Sequence, residues 1–204
     1  MPFTGKDSSL GRCKKDIKFV VHDEGNMMTR IGVISDTHGL LPLQVHEVLA
    51  DCDWIFHAGD ICDPGILREL QTIAPTVAVL GNNDFNEYGA RVTYEAHPIV
   101  DEVLFFMTHK PNDARKHIAT FRAGGTPEDN VPHVVIHGHT HVPALERIEI
   151  AGNPAFLVCP GSISYPRMQT ARSLAKIDIQ DSHVARIWVQ SLEGSVVHEV
   201  VNTQ

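Results

Sequence analysis

The stretch VVIHGHTHV, residues 134 to 142, constrains this chain more than any other. Its first half has the Val/Ile content of a buried strand. Its second half sets three histidines at alternating positions, His137, His139 and His141, spaced by Gly138 and Thr140. Clustered imidazoles repel one another when charged, and when neutral each still needs a partner for both ring nitrogens. A fold that places this run at a strand end must therefore bring other groups to meet it.

The same arrangement recurs along the first two thirds of the chain. From Arg30 the reading is strand IGVIS (31 to 35), loop DTHG, a helical pattern over 42 to 52, strand WIFHAG (54 to 59), a helix opened by Asp63 and Pro64, and strand TVAVLG (76 to 81). An Asp N-cap followed by a first-turn proline is a helix start signal. Strands alternating with helices argue for a largely parallel sheet with crossover helices. After Asn86 the rhythm changes: strands over 91 to 100 and 103 to 109, a helical 113 to 124, a polar loop GGTPEDNVP (124 to 132), and then mostly strands, near 144 to 150, 155 to 160, 174 to 179, 185 to 189 and 196 to 200. The expected class is α/β, with two packed mixed β-sheets flanked by helices. Residues 1 to 28 mix charge of both signs with small polar residues and read as a loosely ordered extension, and residues 29 to 204 as a single domain.

Just past the strand ends stand Asp36 and His38, Asp60, then Asn82, Asn83 and Asp84, then His109, then His139 and His141. In open α/β sheets ligands bind in the crevice outside the carboxyl ends of the strands, so these segments are expected to converge. Two carboxylates and several imidazoles in one partly buried crevice would each face a desolvation cost of roughly several kcal/mol if unpaired. A cation removes that cost and uses the imidazoles in their neutral form. Oxygen and nitrogen donors without thiolate suit Mn, Fe, Co, Ni or Zn, and several imidazoles argue against a pure Mg or Ca cage. Six candidate side chains beyond the first aspartate exceed what one ion with an open position needs, so two ions about 3.5 to 4 Å apart, bridged by a carboxylate, fit better.

The bulk composition excludes several classes. With 17 Lys+Arg against 25 Asp+Glu, a net charge of −8 and no basic block, extended nucleic-acid binding is disfavoured. No apolar run approaches the roughly 18 residues that span a bilayer, and the N-terminus lacks a secretory apolar core, so no membrane partner and a cytoplasmic location are expected. The four cysteines, Cys13, Cys52, Cys62 and Cys159, form no C-x-x-C pair and read as reduced thiols.

DTH (36 to 38), GD (59, 60), GNND (81 to 84), TH (108, 109) and GHTH (138 to 141), in this order, resemble the calcineurin-like metallophosphoesterases. CPGSISYPR (159 to 167) makes the likeness closer to the small YfcE-like phosphodiesterase branch. The resemblance implies a four-layer αββα sandwich in which Asp36, His38 and His141 hold one divalent ion and Asn82, His109 and His139 the other. Asp60 would bridge the two, with catalysis carried through the metals by Asp60, Asn82 and His109. It implies a manganese-type dinuclear phosphodiesterase, with Fe, Ni, Co, Zn or Mg as alternatives. A hydroxide between the ions would attack phosphorus of a small phosphoester in line with the leaving oxygen. Relatives of this kind often self-associate, so a homo-oligomer is compatible with the resemblance. The alternatives are a phosphomonoesterase and a non-catalytic metal-binding scaffold, for which the retromer subunit of the same fold is a precedent that departs at the metal positions.

Two positions depart from the family pattern. The superfamily usually places a histidine after the Gly-Asn, suited to protonating the leaving group, and this chain has Asn83. Aryl-like or otherwise stabilised leaving groups are therefore expected to be favoured, with Asn83→His raising turnover of alkyl esters. Lys110 stands where relatives often have glycine, and could meet a phosphate or be solvated. Asp84 is a candidate for orienting the Asn82 loop, and Arg167, Ser162 and Asn112 are candidates for lining the pocket. Gly138 should break the strand, which leaves His137 off the face of its neighbours as a structural histidine; His57 carries no motif and reads as core or surface.

Overall fold

The apolar runs that lack alternation, IGVI, WIF, LFFM and VVI, are strands buried on both faces. The computed structural model describes residues 18–19, 28–85, 88–122 and 131–202. In chain order it runs β1 (Lys18–Phe19), β2 (Thr29–Ile34), α1 (Gln44–Leu49), β3 (Trp54–His57), α2 (Pro64–Leu70), β4 (Thr76–Ala78), β5 (Glu95–Ala96), β6 (Ile99–Val100), β7 (Val103–Thr108) and α3 (Pro111–Arg122). It continues through β8 (Val134–Ile136), β9 (Ala144–Ile150), β10 (Asn153–Cys159), β11 (Ser173–Gln180), β12 (His183–Ser191) and β13 (Val196–Val201).

Two mixed sheets result, as expected from the sequence. One has the order β13-β12-β11-β2-β3-β4, and the other β1-β6-β7-β8-β10-β9 with β5 beside β7. Strands β2, β3 and β4 are mutually parallel, as are β7, β8 and β10, while β9 and β11 to β13 pair antiparallel.

Period-two alternation sorts each run between two layers. Ile31, Val33, Phe56, Phe105, Met107, Val134 and Ile136 face the space between the sheets. There the Phe56 and Phe105 rings meet edge-on at 5.2 Å. Ile34 and Ile55 point the other way, onto Val45 and Leu49 of α1 and Ile66 and Leu70 of α2. Phe106 and Val135 cover Ala114, Ile118 and Phe121 of α3. Each fully buried Leu, Ile, Val or Phe contributes about 1.5–3 kcal/mol, so one set of strands supports three apolar layers.

Several boundaries differ from the sequence reading for local reasons. The strand expected over 91 to 100 is two short ones, β5 and β6, separated by Pro98, which has no N–H to give to a ladder. Helix α3 begins at Pro111 rather than residue 113, because a first-turn proline starts a helix without loss. Helix α1 is shorter than the pattern over 42 to 52; its N-cap Leu43 has no side-chain oxygen to cap the first turn. Helix α2 starts as expected, with Asp63 accepting from the Gly65 N–H at 2.7 Å. Of residues 1 to 28, Lys18 and Phe19 pair in parallel with Ile99 and Val100, residue 28 is described, and the rest of the expected extension lies outside the described residues. Most of the GGTPEDNVP loop lies outside them as well.

Candidate metal centre

Parallel strands from both sheets end at the same edge of the molecule. The loops after β2 and β3 are laced together there: the N–H groups of Asp36, His38 and Gly39 donate to the carbonyls of Gly59, Asp60 and Ile61 at 3.0, 2.9 and 2.8 Å. The loops after β7 and β8 join through Gly138 N–H and the His109 carbonyl at 3.0 Å. This lacing requires tight backbone. Asp36, His38, Asp60, Cys62, His139 and His141 all have φ between 46° and 70°. Left-handed backbone at non-glycine residues is uncommon, and its concentration at one site is the kind of strain that functional loops hold. Two glycines permit the approach. A Cβ on Gly138 would lie 1.9 Å from Ser35 Oγ, and one on Gly81 would lie 2.1 Å from Asp60 Oδ1.

Five of the sequence-predicted ligands converge. Asp36 Oδ1 lies 3.2 Å from His141 Nε2, 3.9 Å from His38 Nε2 and 4.0 Å from His109 Nε2. Asp60 Oδ2 lies 3.4 Å from His109 Nε2 and 3.8 Å from His38 Nε2. His38 Nε2 and His141 Nε2 are 3.3 Å apart. Two sets with metal-ligand geometry emerge, Asp36 with His38 and His141, and Asp36 with Asp60 and His109. The first is the ligand set that the family resemblance implied for one ion. The second shares Asp36, so that carboxylate faces both groups of imidazoles.

Hydrogen bonds on the far side of each ring set the tautomer. His109 Nδ1 donates to the Ala58 carbonyl at 2.7 Å and His141 Nδ1 to the Tyr165 carbonyl at 2.5 Å. In a neutral ring this leaves the Nε2 lone pair directed at the carboxylates, the arrangement that metal-ligating histidines adopt. Asp36 Oδ1 and His109 Nε2 are buried without a hydrogen-bond partner. Orphaned buried acceptors facing one another cost free energy unless a cation lies between them.

Charge reinforces this. Burial pushes the Asp60 carboxyl up, but the His109 imidazole 3.4 Å away and two N–H donors from Asn83 outweigh it and hold Asp60 well below the usual range. Burial pulls His109 down, yet Asp60, Asp36 and the Ala58 carbonyl outweigh it and raise the imidazole. The Asp36 carboxylate, 3.2 Å from His141 Nε2, raises that imidazole. A field that favours a proton on these nitrogens favours a divalent cation there too.

A ring of supporting groups holds the site, and most of it escaped sequence reasoning. Asp84 ties the loop after β4 to that after β3: Oδ1 accepts from the N–H groups of Ile61 (2.9 Å) and Cys62 (2.8 Å) and from the Tyr88 hydroxyl (3.0 Å), and Oδ2 from Gly81 N–H (2.7 Å). Ser162 and Ser164 both donate to the Asp36 carbonyl at 2.9 Å, so Ser162 is a buried brace rather than a pocket wall. Ser35 Oγ donates to Asp36 Oδ2 at 2.7 Å, and the His139 N–H reaches the same oxygen at 3.0 Å. Asn83, noted in the sequence only as a lost proton donor, grips Asp60 through its backbone N–H (2.9 Å) and its side-chain amide (2.7 Å). The alternation in SISY was the one available signal for the paired serines.

The remaining expected positions are placed as follows. The His139 ring is half-buried and edge-on to His109 at 5.2 Å, and burial lowers its basicity. Asn82, Lys110, Asn112 and Arg167 are exposed. His137 is buried with Nδ1 bonded to the Gly138 carbonyl at 3.0 Å, off the ligand cluster, as the glycine break predicts.

This fold gathers, at the strand ends of both sheets, carboxylates and imidazoles that could hold a metal ion. The chain matches the calcineurin-like phosphoesterase superfamily domain over residues 28–182 and belongs to that family. It is 34% identical over 143 residues to a probable metallophosphoesterase of Methanothermobacter thermautotrophicus, covering 68% of this chain and 79% of that protein. Among solved structures, the phosphoesterase YfcE of E. coli shares the fold with a TM-score of 0.61 and 21% identity over 85% of this chain and 99% of that one. Wild-type Vps29 of Entamoeba histolytica, complexed with Zn, shares it with a TM-score of 0.63 and 20% identity over 85% and 99%. Among the described residues no helix is long and apolar enough to cross a membrane.

Proposed function

We propose that this chain is a dinuclear metal-dependent phosphodiesterase that hydrolyses a small phosphodiester by in-line displacement at phosphorus. The observation that carries the reading is the pair of buried, unpartnered acceptors, Asp36 Oδ1 and His109 Nε2, inside a cluster of two carboxylates and three imidazoles. Asp36, His38 and His141 hold one ion; Asp60 and His109, with His139 and Asn82 at the edge, hold the other. Bound there, two divalent ions supply a Lewis acid for the phosphoryl oxygens and lower the pKa of a water toward neutrality. Manganese suits the oxygen-and-nitrogen donor set; the zinc recorded with Vps29 makes zinc the first alternative.

The protein's own groups do the rest. Asp60 is kept ionised by His109 and Asn83 and so is ready to share a cation. Lys110, next to His109, and Arg167, whose N–H bonds the His141 carbonyl at 3.3 Å, place exposed cations at the rim for an anionic ester. Asn83 can orient but cannot protonate a departing alkoxide, so acidic leaving groups are favoured. Among the described cysteines, Cys52 and Cys159 are buried thiols outside any disulfide, which suits the reducing cytoplasm.

The test compares turnover of bis(4-nitrophenyl) phosphate and 4-nitrophenyl phosphate by manganese-loaded and chelator-stripped protein, with bound metal counted by elemental analysis. About two ions per chain and faster diester turnover that chelation abolishes are expected. Preference for the monoester would make the chain a phosphomonoesterase. Stoichiometric metal with no turnover of either would make it a binding scaffold.

A further inference from the structure

Tyr165 is set apart from the other side chains at the metal centre. Its side chain is 57% exposed, yet its ring stands edge-on to the ring of His38 at 5.6 Å. Its backbone is fastened on both sides: the N–H donates to Ser162 Oγ at 2.9 Å and the carbonyl accepts from His141 Nδ1 at 2.5 Å. Ser162 is itself bonded to the Asp36 carbonyl. The ring's base is therefore fixed relative to three ligand residues while its outer face meets water. A preplaced aromatic side chain with two torsions gives up little entropy when something stacks on it. Two further large apolar side chains stand exposed on loops leaving the same edge, Phe85 directly after Asp84 and Met168 directly after Arg167.

We infer that Tyr165 is a stacking platform for an aromatic ring carried by the phosphoester, and that aryl phosphoesters are the substrate class. This rests on the phosphoesterase reading and deepens it. The chemistry agrees with the platform: Asn83 supplies no proton, so the leaving oxygen must depart as an anion, and a phenol ionises at about 10, far below an aliphatic alcohol. When the ester P–O bond breaks, the electron pair leaves on the phenolate oxygen, and the proton from the attacking water goes to solvent. A phenol leaving group places its ring next to the phosphoryl group, at the reach of Tyr165 from the His38 edge of the centre.

Titration calorimetry on the manganese-loaded protein tests this with phenylphosphonate, methylphosphonate and adenosine 5′-monophosphate, which share a phosphoryl group and differ in the ring. Stacking on an aromatic side chain predicts that phenylphosphonate binds about 10-fold tighter than methylphosphonate. That ratio falls to about 1 in Tyr165→Ala and persists in Tyr165→Phe, while the manganese stoichiometry of both variants matches wild type. Equal affinity of the two phosphonates for wild type, or an unchanged ratio in Tyr165→Ala, overturns the platform. Tighter binding of phenylphosphonate than of the nucleotide supports a phenolic ring; the reverse overturns the aryl assignment in favour of a nucleobase. Stoichiometric manganese with no ester hydrolysis overturns the phosphoesterase reading, and the phosphonate ratio still decides the platform.

Discussion

Strand β2 carries a charged cluster near each end, and the two are built on opposite principles. Near its start, Arg30 grips Asp178 with two bonds of 2.7 and 2.9 Å and reaches Asp51 at 2.6 Å, where Lys176 also donates at 2.6 Å. The Arg30 guanidinium lies over the Trp188 ring at 5.2 Å. Just past its other end, Asp36 accepts from the Ser35 hydroxyl and the His139 N–H through Oδ2, while Oδ1 faces only imidazoles and has no hydrogen bond. Permanent cations close the first cluster. The second is closed only by groups whose charge depends on a proton or an ion, and that incompleteness is what makes it the candidate binding site. Burying a carboxylate is costly in either place, and the chain meets the cost with its own side chains at one end and leaves it for a ligand at the other.

The contrast is broken most severely by Asp36→Asn. Divalent-ion affinity measured by calorimetry, and metal-dependent ester turnover, should fall by more than about 100-fold, since even the outer partners of a ligand are worth 10–100-fold. The thermal stabilisation that saturating manganese gives to wild type should vanish with it. Removing the cation at the other end has the reverse signature. Arg30→Met leaves Asp178 buried and unpaired and should destabilise the fold by about 3 kcal/mol in urea titrations, with metal affinity unchanged. Equal loss of metal binding in the two variants would mean that the clusters are not independent.

Acidity sharpens the comparison through His57, which lies beneath the metal centre. Its Nδ1 accepts from the Gly59 N–H at 3.2 Å and its Nε2 meets Thr37 Oγ1 at 3.0 Å, so the neutral ring is satisfied and a second proton would face an N–H. Burial pulls its pKa down to about 4. The unfolded chain, with a histidine near ~6.5, binds a proton in this window that the folded chain refuses. Stability from this group is therefore full above about 6.5 and lost as pH falls toward 4, by roughly 3 kcal/mol in all. Denaturant midpoints across this range check the slope, and His57→Gln should flatten it. The smallest effect belongs to the serine brace. Ser162→Ala with Ser164→Ala should cost about 1 kcal/mol of stability per bond and about 10-fold in metal affinity, because Asp36 then loses the two hydroxyls that hold its backbone.

The convergence of Asp36, His38, Asp60, His109 and His141 was legible because each candidate ligand stands just past an apolar strand and carries chemistry that a buried loop does not otherwise need. The packing of two sheets with helices outside followed from the order of the strands and helices, and a strand apolar on both faces must be covered on both. The grip of Asn83 on Asp60 was not legible, because nothing in GNND distinguishes which asparagine turns inward; the fastening of its loop by Asp84 decides that. Nor was the role of Ser162, which the sequence offered as a pocket wall and which is a buried brace. Short polar side chains look alike along a chain, and their roles depend on which backbone groups the fold presents to them.

The order and spacing of residues alone determined which segments are strands, that their ends carry metal-ligand chemistry, and which family the motifs resemble, because hydrophobic period and ligand type are local properties. Tertiary structure decided which oxygens and nitrogens are left facing one another, which carboxylate reaches both groups of imidazoles, and that a tyrosine stands pinned at the edge of the centre. Those are distances between residues as far as 128 positions apart, as in the bond from Ser164 to Asp36, and no local pattern encodes them.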